Sequence, residues 1–298
     1  MSAGNTVRPP ITSIQRLHIA LLYCLPHHLI SRCLYYLTRR RLPGVTGIIR
    51  WFVRSYAVDL HEAEAPQAAA YATFNDFFTR ALASDARTIV DLPHGLVSPV
   101  DGTVSEIGRI ESGRLLQAKG FDYGLAALLG GGIDPEPFRD GAFATLYLSP
   151  RDYHRVHMPC SGTLAAMSYV PGRLFSVAPH TVATVEQLFT RNERVACLFA
   201  APLGPVALVL VGAINVAAIE TVWSGLVTPP HRRQPSHWRY TDTPVELAAG
   251  EEMGRFNMGS TVILVAPSSL QWLPHLAHGT AVRLGEALGS VATPAVAT

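Results

Sequence analysis

Asp101, His154, His157 and Ser260 are the residues of this chain whose types and settings suit covalent chemistry. Asp101 lies in Ser98-Pro99-Val100-Asp101-Gly102, where Asp-Gly is an ordinary turn pair. His154 and His157 stand three apart in Tyr153-His154-Arg155-Val156-His157-Met158-Pro159. On a helix they would share a face and suit a metal ion. Pro150 and Pro159 argue instead for an extended segment, in which such residues point to opposite faces and take different roles. No third ligand is evident, so no metal is expected. Ser260 lies in Phe256-Asn257-Met258-Gly259-Ser260-Thr261-Val262, just before an apolar run. Taken singly, these are a turn, two ordinary structural histidines and a strand start. Together they supply the parts of an activated serine: a base takes the hydroxyl proton and a carboxylate orients the base. Sequence order alone does not bring them together in space. The G-x-S-x-G elbow of esterases is missing.

The elements that must position these groups are short. With 298 residues the chain suits one or two domains. Hydrophobic residues form 48% and charged residues only 15%, which excludes a disordered chain and a charged coiled coil. The 24 glycines and 22 prolines point to many turns. Scattered Cys24, Cys33, Cys160 and Cys197 form no zinc or disulfide framework and read as reduced thiols of an intracellular protein. Lys119 is the sole lysine, so any lysine Schiff base would have to use it.

Charge is unevenly spread. Residues 1–58 hold Arg8, Arg16, Arg32, Arg39, Arg40, Arg41, Arg50 and Arg54 and no acid, although the whole chain is only +2. A basic arm on an acidic body suits an anionic surface. Ile14, Leu17, Leu21, Cys24 and Leu25, then Leu29, Ile30, Cys33, Leu34 and Leu37, recur at helical spacing. Trp51, Phe52 and Tyr56 follow, between and beside Arg50 and Arg54. This predicts amphipathic helices lying in a headgroup layer rather than a spanning helix or a cleaved signal peptide. Packing of ordinary surface helices on the body is the alternative. Nucleic acid is disfavoured, because apolar residues interleave the arginines.

The remainder reads as an α+β body rich in antiparallel sheet. A helix is expected over Ala65 to Leu82, and a short one over Asp122 to Leu129. Strands are expected at Thr103–Ile110, Arg114–Lys119, Ala142–Leu148, Gly162–Val170, Val206–Ala213, Asn215–Trp223 and Thr261–Ala266. Thr228 to Trp238 reads as a loop from its prolines. The domain division is residues 1–58 as the arm and 59–298 as the catalytic body.

From about Val58 to about Val291 the sequence resembles the phosphatidylserine decarboxylases of the short bacterial type. The resemblance rests on Phe74-Asn75-Asp76-Phe77-Phe78-Thr79-Arg80, Ser98 to Gly102, and Gln117-Ala118-Lys119-Gly120. It continues through Tyr147 to Pro159, Tyr169-Val170-Pro171-Gly172, Leu174-Phe175-Ser176-Val177, Asn192-Glu193-Arg194 and Gly250 to Phe256. Met258 stands where a leucine is common in that family, and the basic extension and the Ala/Pro-rich tail after Leu288 depart from its pattern.

The resemblance implies a self-processing proenzyme. Asp101, His157 and Ser260 match the family's charge relay, and the bond cut would join Gly259 to Ser260. The products would be a β chain of residues 1–259 and an α chain of residues 260–298. Ser260 would become a covalent pyruvoyl group, replacing pyridoxal phosphate as electron sink and forming a Schiff base with the amine of phosphatidylserine; no metal is implied. The products of that reaction would be phosphatidylethanolamine and carbon dioxide. His154 is the candidate for the decarboxylation step, binding the substrate carboxylate or protonating the α-carbon. A diacyl substrate places the enzyme at the cytoplasmic side of the cell membrane as a peripheral protein, and a homodimer is compatible with this reading. The competing readings are a lipid hydrolase using the same three residues and an inactive lipid-binding module. Both would keep one intact chain.

Overall fold

The computed structural model describes residues 26–118, 120–214, 218–229, 232–257 and 260–291. Cys24, Lys119, Gly259 and the first predicted helix of the arm therefore lie outside the described residues. The chain begins with α1 (His27–Thr38) and α2 (Val45–Tyr56), separated by Pro43-Gly44. The inward side of α1 holds His27, Ser31 and Thr38, whereas Leu29, Tyr36 and Leu37 are exposed. In α2, Ile49 and Phe52 are buried while Trp51 stays 61% exposed.

No single helix spans Ala65 to Leu82. A 3-10 turn (Ala68–Ala70) and the five-residue α3 (Phe74–Phe78) take its place. Thr73 sets the start of α3. Its hydroxyl accepts from Asp76 N, and the Asp76 carboxylate accepts from Thr73 N, so a capping box fixes the first turn. The aromatic residues predicted to line a helix face still cluster. Phe52 of α2 meets Phe74, Phe77 and Phe78 edge-on, and these form a small core with Ile49, Val58 and Tyr71. The last helix of the basic arm, α2, is thus packed on the body.

The body follows as short strands. They are β1 (Gly95–Val97), β2 (Gly102–Arg109), β3 (Arg114–Ala118), β4 (Phe121–Gly124), β5 (Ala142–Leu148), β6 (Arg155–His157) and β7 (Gly162–Val170). After them come β8 (Arg194–Ala201), β9 (Gly204–Val211), β10 (Ile219–Thr221), β11 (Gly225–Thr228), β12 (Ser236–Arg239) and β13 (Glu246–Leu247). The last are β14 (Glu252–Phe256), β15 (Ser260–Ala266), β16 (Leu270–Trp272), β17 (Ala281–Val282) and β18 (Ala287–Val291).

A nine-stranded antiparallel sheet runs β12-β7-β8-β9-β15-β5-β2-β17, with β13 also on β7. In its middle, β15 is buried at every position, which explains its unbroken apolar sequence. A second sheet, β11-β10-β14-β6, carries the histidine segment, and a third joins β1, β18 and β16. The α+β class expected from the sequence is borne out.

Two further local expectations need correction. Asp122 belongs to β4, and only Leu125–Leu129 is helical, because Phe121–Gly124 pairs with β3. The predicted Thr228–Trp238 loop ends in a strand, with Ser236–Arg239 pairing along β7. Strand β8 was not anticipated. Among the described residues no helix is long and apolar enough to cross a membrane.

Candidate active site

Four pieces of chain meet around β6. His157 N donates to Pro99 O (2.9 Å), and Val97 N donates to Pro159 O (2.8 Å), so the Asp101 turn runs antiparallel beside the histidine segment. On the other side, β14 pairs with β6, and Phe256 N donates to His154 O (2.9 Å). The chain then leaves β14 and enters β15 at Ser260. Three residues lie between Phe256 and Ser260, so the two are at most about 14 Å apart. Ser260 also pairs with Leu148, the last residue of β5, from which the chain leads to His154. The β5–β6 and β14–β15 connections therefore bring the Ser260 and His154 segments to the same end of the sheet.

Ser260 is completely buried, and its hydroxyl is sealed from solvent without a hydrogen-bond partner. A buried hydroxyl left unbonded costs free energy, about 1–3 kcal/mol. That cost leaves its lone pairs available to react.

His157 is the half-buried base candidate. Its Nδ1 lies 2.7 Å from Gly250 O, and its Nε2 lies 3.0 Å from the Tyr153 hydroxyl. A carbonyl only accepts, so Nδ1 carries the proton and Nε2 holds the lone pair, receiving the Tyr153 hydroxyl. Burial lowers the His157 pKa below its usual value, opposed by the Gly250 carbonyl and the nearby carboxylates of Glu252 and Asp101. The ring is thus kept neutral and basic. Tyr153 stands four residues before His157 in extended chain and shares its side, a signal the sequence carried.

Asp101 is clasped by Arg87, whose Nε reaches Oδ1 (3.0 Å) and Nη2 reaches Oδ2 (2.5 Å). Leu284 N donates to Oδ1 (2.8 Å). Arg87 also donates to Glu62 (2.6 Å), and Glu62 in turn pairs with Arg283. Nothing in the sequence announced Arg87, because its partner lies in a separate turn. Gly102 follows Asp101 for a steric reason: a Cβ there would lie 2.6 Å from Tyr147 O. Among the described residues no hydrogen bond joins Asp101 to His157, or either of them to Ser260. Asp101 acts on His157 through longer-range electrostatics.

His154 shares none of these contacts. It is fully buried and packs on Phe78 with ring centroids 4.1 Å apart. Nδ1 donates to Asp152 O (2.8 Å), whereas Nε2 is buried without a partner. Burial, helped by the Arg80 guanidinium, lowers its pKa to about 3. His154 is therefore neutral, with an unused lone pair on Nε2. Among the described residues no group of three His, Cys, Asp or Glu side chains gathers as a metal would require.

A cleft of about 300 Å³ opens beside this site, its wall including Arg80, Asp101, Asp152 and Tyr153.

Comparison with known proteins gives the lineage. The family model described as phosphatidylserine decarboxylase matches residues 74–290, and a second, described as PSD, matches residues 17–57. The chain is 52% identical over 275 residues to a phosphatidylserine decarboxylase proenzyme of Nitrosococcus oceani, covering 91% of this chain and 90% of the relative. It is 53% identical over 287 residues to the proenzyme of that name from Bordetella pertussis, covering 94% and 96%. The corresponding protein of Stutzerimonas stutzeri is 51% identical over 289 residues, covering 95% and 97%. With identity of this order along nearly the whole of each relative, and the Asp101, His154, His157 and Ser260 segments gathered at one end of the sheet, this chain belongs to the phosphatidylserine decarboxylase family.

Proposed function

We propose that this protein cuts itself between Gly259 and Ser260 and, carrying the resulting pyruvoyl group, converts phosphatidylserine to phosphatidylethanolamine. The observation that carries the reading is the Ser260 hydroxyl, buried and unbonded at the start of β15, in a chain matched over 91% of its length by a proenzyme. A hydroxyl with no structural bond to lose suits a residue that is chemically consumed.

Processing uses the chain's own groups. His157 Nε2 takes the Ser260 hydroxyl proton, with the Tyr153 hydroxyl, now bonded to that nitrogen, passing the proton or moving aside. The serine oxygen attacks the Gly259 carbonyl carbon. The peptide C–N bond breaks, an ester forms, and the Ser260 nitrogen leaves as an amine. Removal of the Ser260 α-proton then breaks the Cβ–O bond, freeing residues 1–259 with a terminal carboxylate. Water replaces the nitrogen of the remaining enamine, releasing ammonia and leaving a ketone. Asp101, fixed by Arg87 and Leu284 N, favours the protonated state of His157 from a distance.

The pyruvoyl group supplies an electron sink for the carboxylate's bonding electrons. His154 serves the second reaction. Its unpartnered Nε2 is the group placed to bind the substrate carboxylate or to pass a proton to the α-carbon after carbon dioxide leaves. Phe78 against the ring gives the departing carboxylate apolar surroundings, which favour loss of charge.

The helices at the start of the chain bring the site to its lipid. Leu29, Tyr36, Leu37 and Trp51 expose apolar surface beside Arg32, Arg40, Arg50 and Arg54. Each arginine near an anionic leaflet contributes about 1 kcal/mol. Because Ile49 and Phe52 belong to the body's core, the exposed residues are the ones to change. Replacing Leu29, Tyr36, Leu37 and Trp51 together by serine is expected to lower flotation with phosphatidylserine-containing vesicles at least tenfold while processing continues. Undiminished flotation would remove these helices from membrane binding.

Intact mass under denaturing conditions tests the whole reading. Two chains are expected, divided after Gly259, with residues 260–298 lighter than their serine form by one ammonia. A single chain would leave the decarboxylase without its reactive group.

A further inference from the structure

Arg80 is a buried cation that the processing chemistry does not use. It is only 5% exposed, yet among the described residues no carboxylate forms an ion pair with it. Nη2 donates to Arg151 O (3.2 Å), and Nε is buried with no partner. Its face lies near the Phe77 ring, 5.6 Å from guanidinium carbon to ring centre. Burial lowers its pKa, so the site holds this charge at a cost.

The acids around it are committed elsewhere. Asp101 and Glu62 are taken by Arg87, and Glu62 also by Arg283. Asp152 accepts from both the backbone and the hydroxyl of Ser149, at 2.7 Å each. Asp59 accepts from His61 N. Arg80 is left without an ion pair in the wall of the cleft that also contains Tyr153. A buried N–H without an acceptor marks a place where an absent anion belongs.

We infer that Arg80 binds the phosphodiester of the lipid headgroup in the cleft bounded by Asp101, Asp152 and Tyr153. This rests on the decarboxylase reading. The substrate has two anionic groups, and the chemistry distinguishes them. Carbon dioxide departs by dispersing the carboxylate's charge, so a guanidinium on that carboxylate would hold the ground state more firmly than the transition state. The phosphodiester keeps its charge from substrate to product, and a cation there binds both alike. The neutral His154 ring against Phe78 is the better surrounding for the carboxylate. Arg80 lies over Phe77 while His154 packs on the adjacent Phe78, so both groups of one headgroup can be served together.

The test uses processed full-length protein with phosphatidylserine in nonionic mixed micelles, and glycerophosphoethanolamine as inhibitor. That inhibitor carries the phosphodiester and the amine but no carboxylate. Arg80→Gln is expected to raise KM about 10- to 100-fold, with a much smaller fall in kcat, and to weaken inhibition by the same factor. Arg80→Lys, which keeps the charge without the fork, is expected to fall between, and it carries the same readout if Arg80→Gln does not process. Constants within twofold of wild type would overturn the inference. So would a raised KM with unchanged inhibition, which would assign Arg80 to the carboxylate. Wild-type protein that releases no carbon dioxide would overturn the decarboxylase reading itself, and the inference with it.

Discussion

His157→Ala protein is expected to remain a single chain of residues 1–298 and to release no carbon dioxide from phosphatidylserine. Removing a positioned general base slows proton transfer about 10²- to 10⁴-fold. Here the loss is compounded, because the second reaction needs the product of the first. The structure also orders the relay variants. His157 holds the only ring in the set with its lone pair toward a hydroxyl, on Tyr153. Asp101 is bonded to Arg87 and Leu284 N and affects His157 only at longer range. Asp101→Asn is therefore expected to slow cutting less than His157→Ala does. It also removes one carboxylate from Arg87, which keeps Glu62, so a lower melting temperature should accompany it. Mass spectra taken through a time course after purification would score cutting, and thermal unfolding would separate it from instability. Efficient cutting of the His157→Ala chain would remove His157 from the relay.

The same geometry sets the pH dependence. Burial lowers the His157 pKa, so its basic form persists below the pH at which a free histidine, with a value of 6.5, becomes half protonated. The rate of self-cutting in wild-type protein is expected to stay level as pH falls through 6.5 and to drop only on further acidification. A rate that halves at or above 6.5 would contradict the buried, neutral base.

His154→Ala should separate the two reactions. Its ring makes no hydrogen bond with His157, Asp101 or Ser260. Cutting is expected to proceed and yield two chains, whereas carbon dioxide release falls about 10²- to 10⁴-fold at saturating substrate. Deleting a ring packed on Phe78 also leaves a cavity, so the melting temperature must be measured beside the rate. His154→Gln, which refills part of that space, should remain nearly as inactive. An uncut His154→Ala chain would refute this division of labour, and full activity in His154→Gln would show that the imidazole is not needed.

Much of this arrangement was legible in the sequence because it is local. Pro150 and Pro159 implied an extended histidine segment, and extension alone places His154 and His157 on opposite sides. The apolar run after Ser260 implied a strand over Thr261–Ala266, which β15 contains. The breakdown of the expected Ala65–Leu82 helix was also written locally, in the Thr73–Asp76 capping box, but the aromatic spacing outweighed it in the reading. The tertiary structure decided what depends on residues distant in the chain. Ser236–Arg239 becomes a strand only because β7 offers an edge to pair with, which overrides the turn signals of nearby prolines. Asp101 is held by Arg87 and Leu284, and His157 by the Gly250 carbonyl; neither pairing leaves a periodic trace. Arg80 is an exposed-type residue in any local reading, and its burial without a direct ion pair follows from where Tyr153, Asp152 and Asp101 converge. Side-chain period and capping are set by a few neighbouring residues, so the chain's sequence determines them directly. The partner of a buried charge is set by which distant segments pack against it, and only the folded chain fixes that.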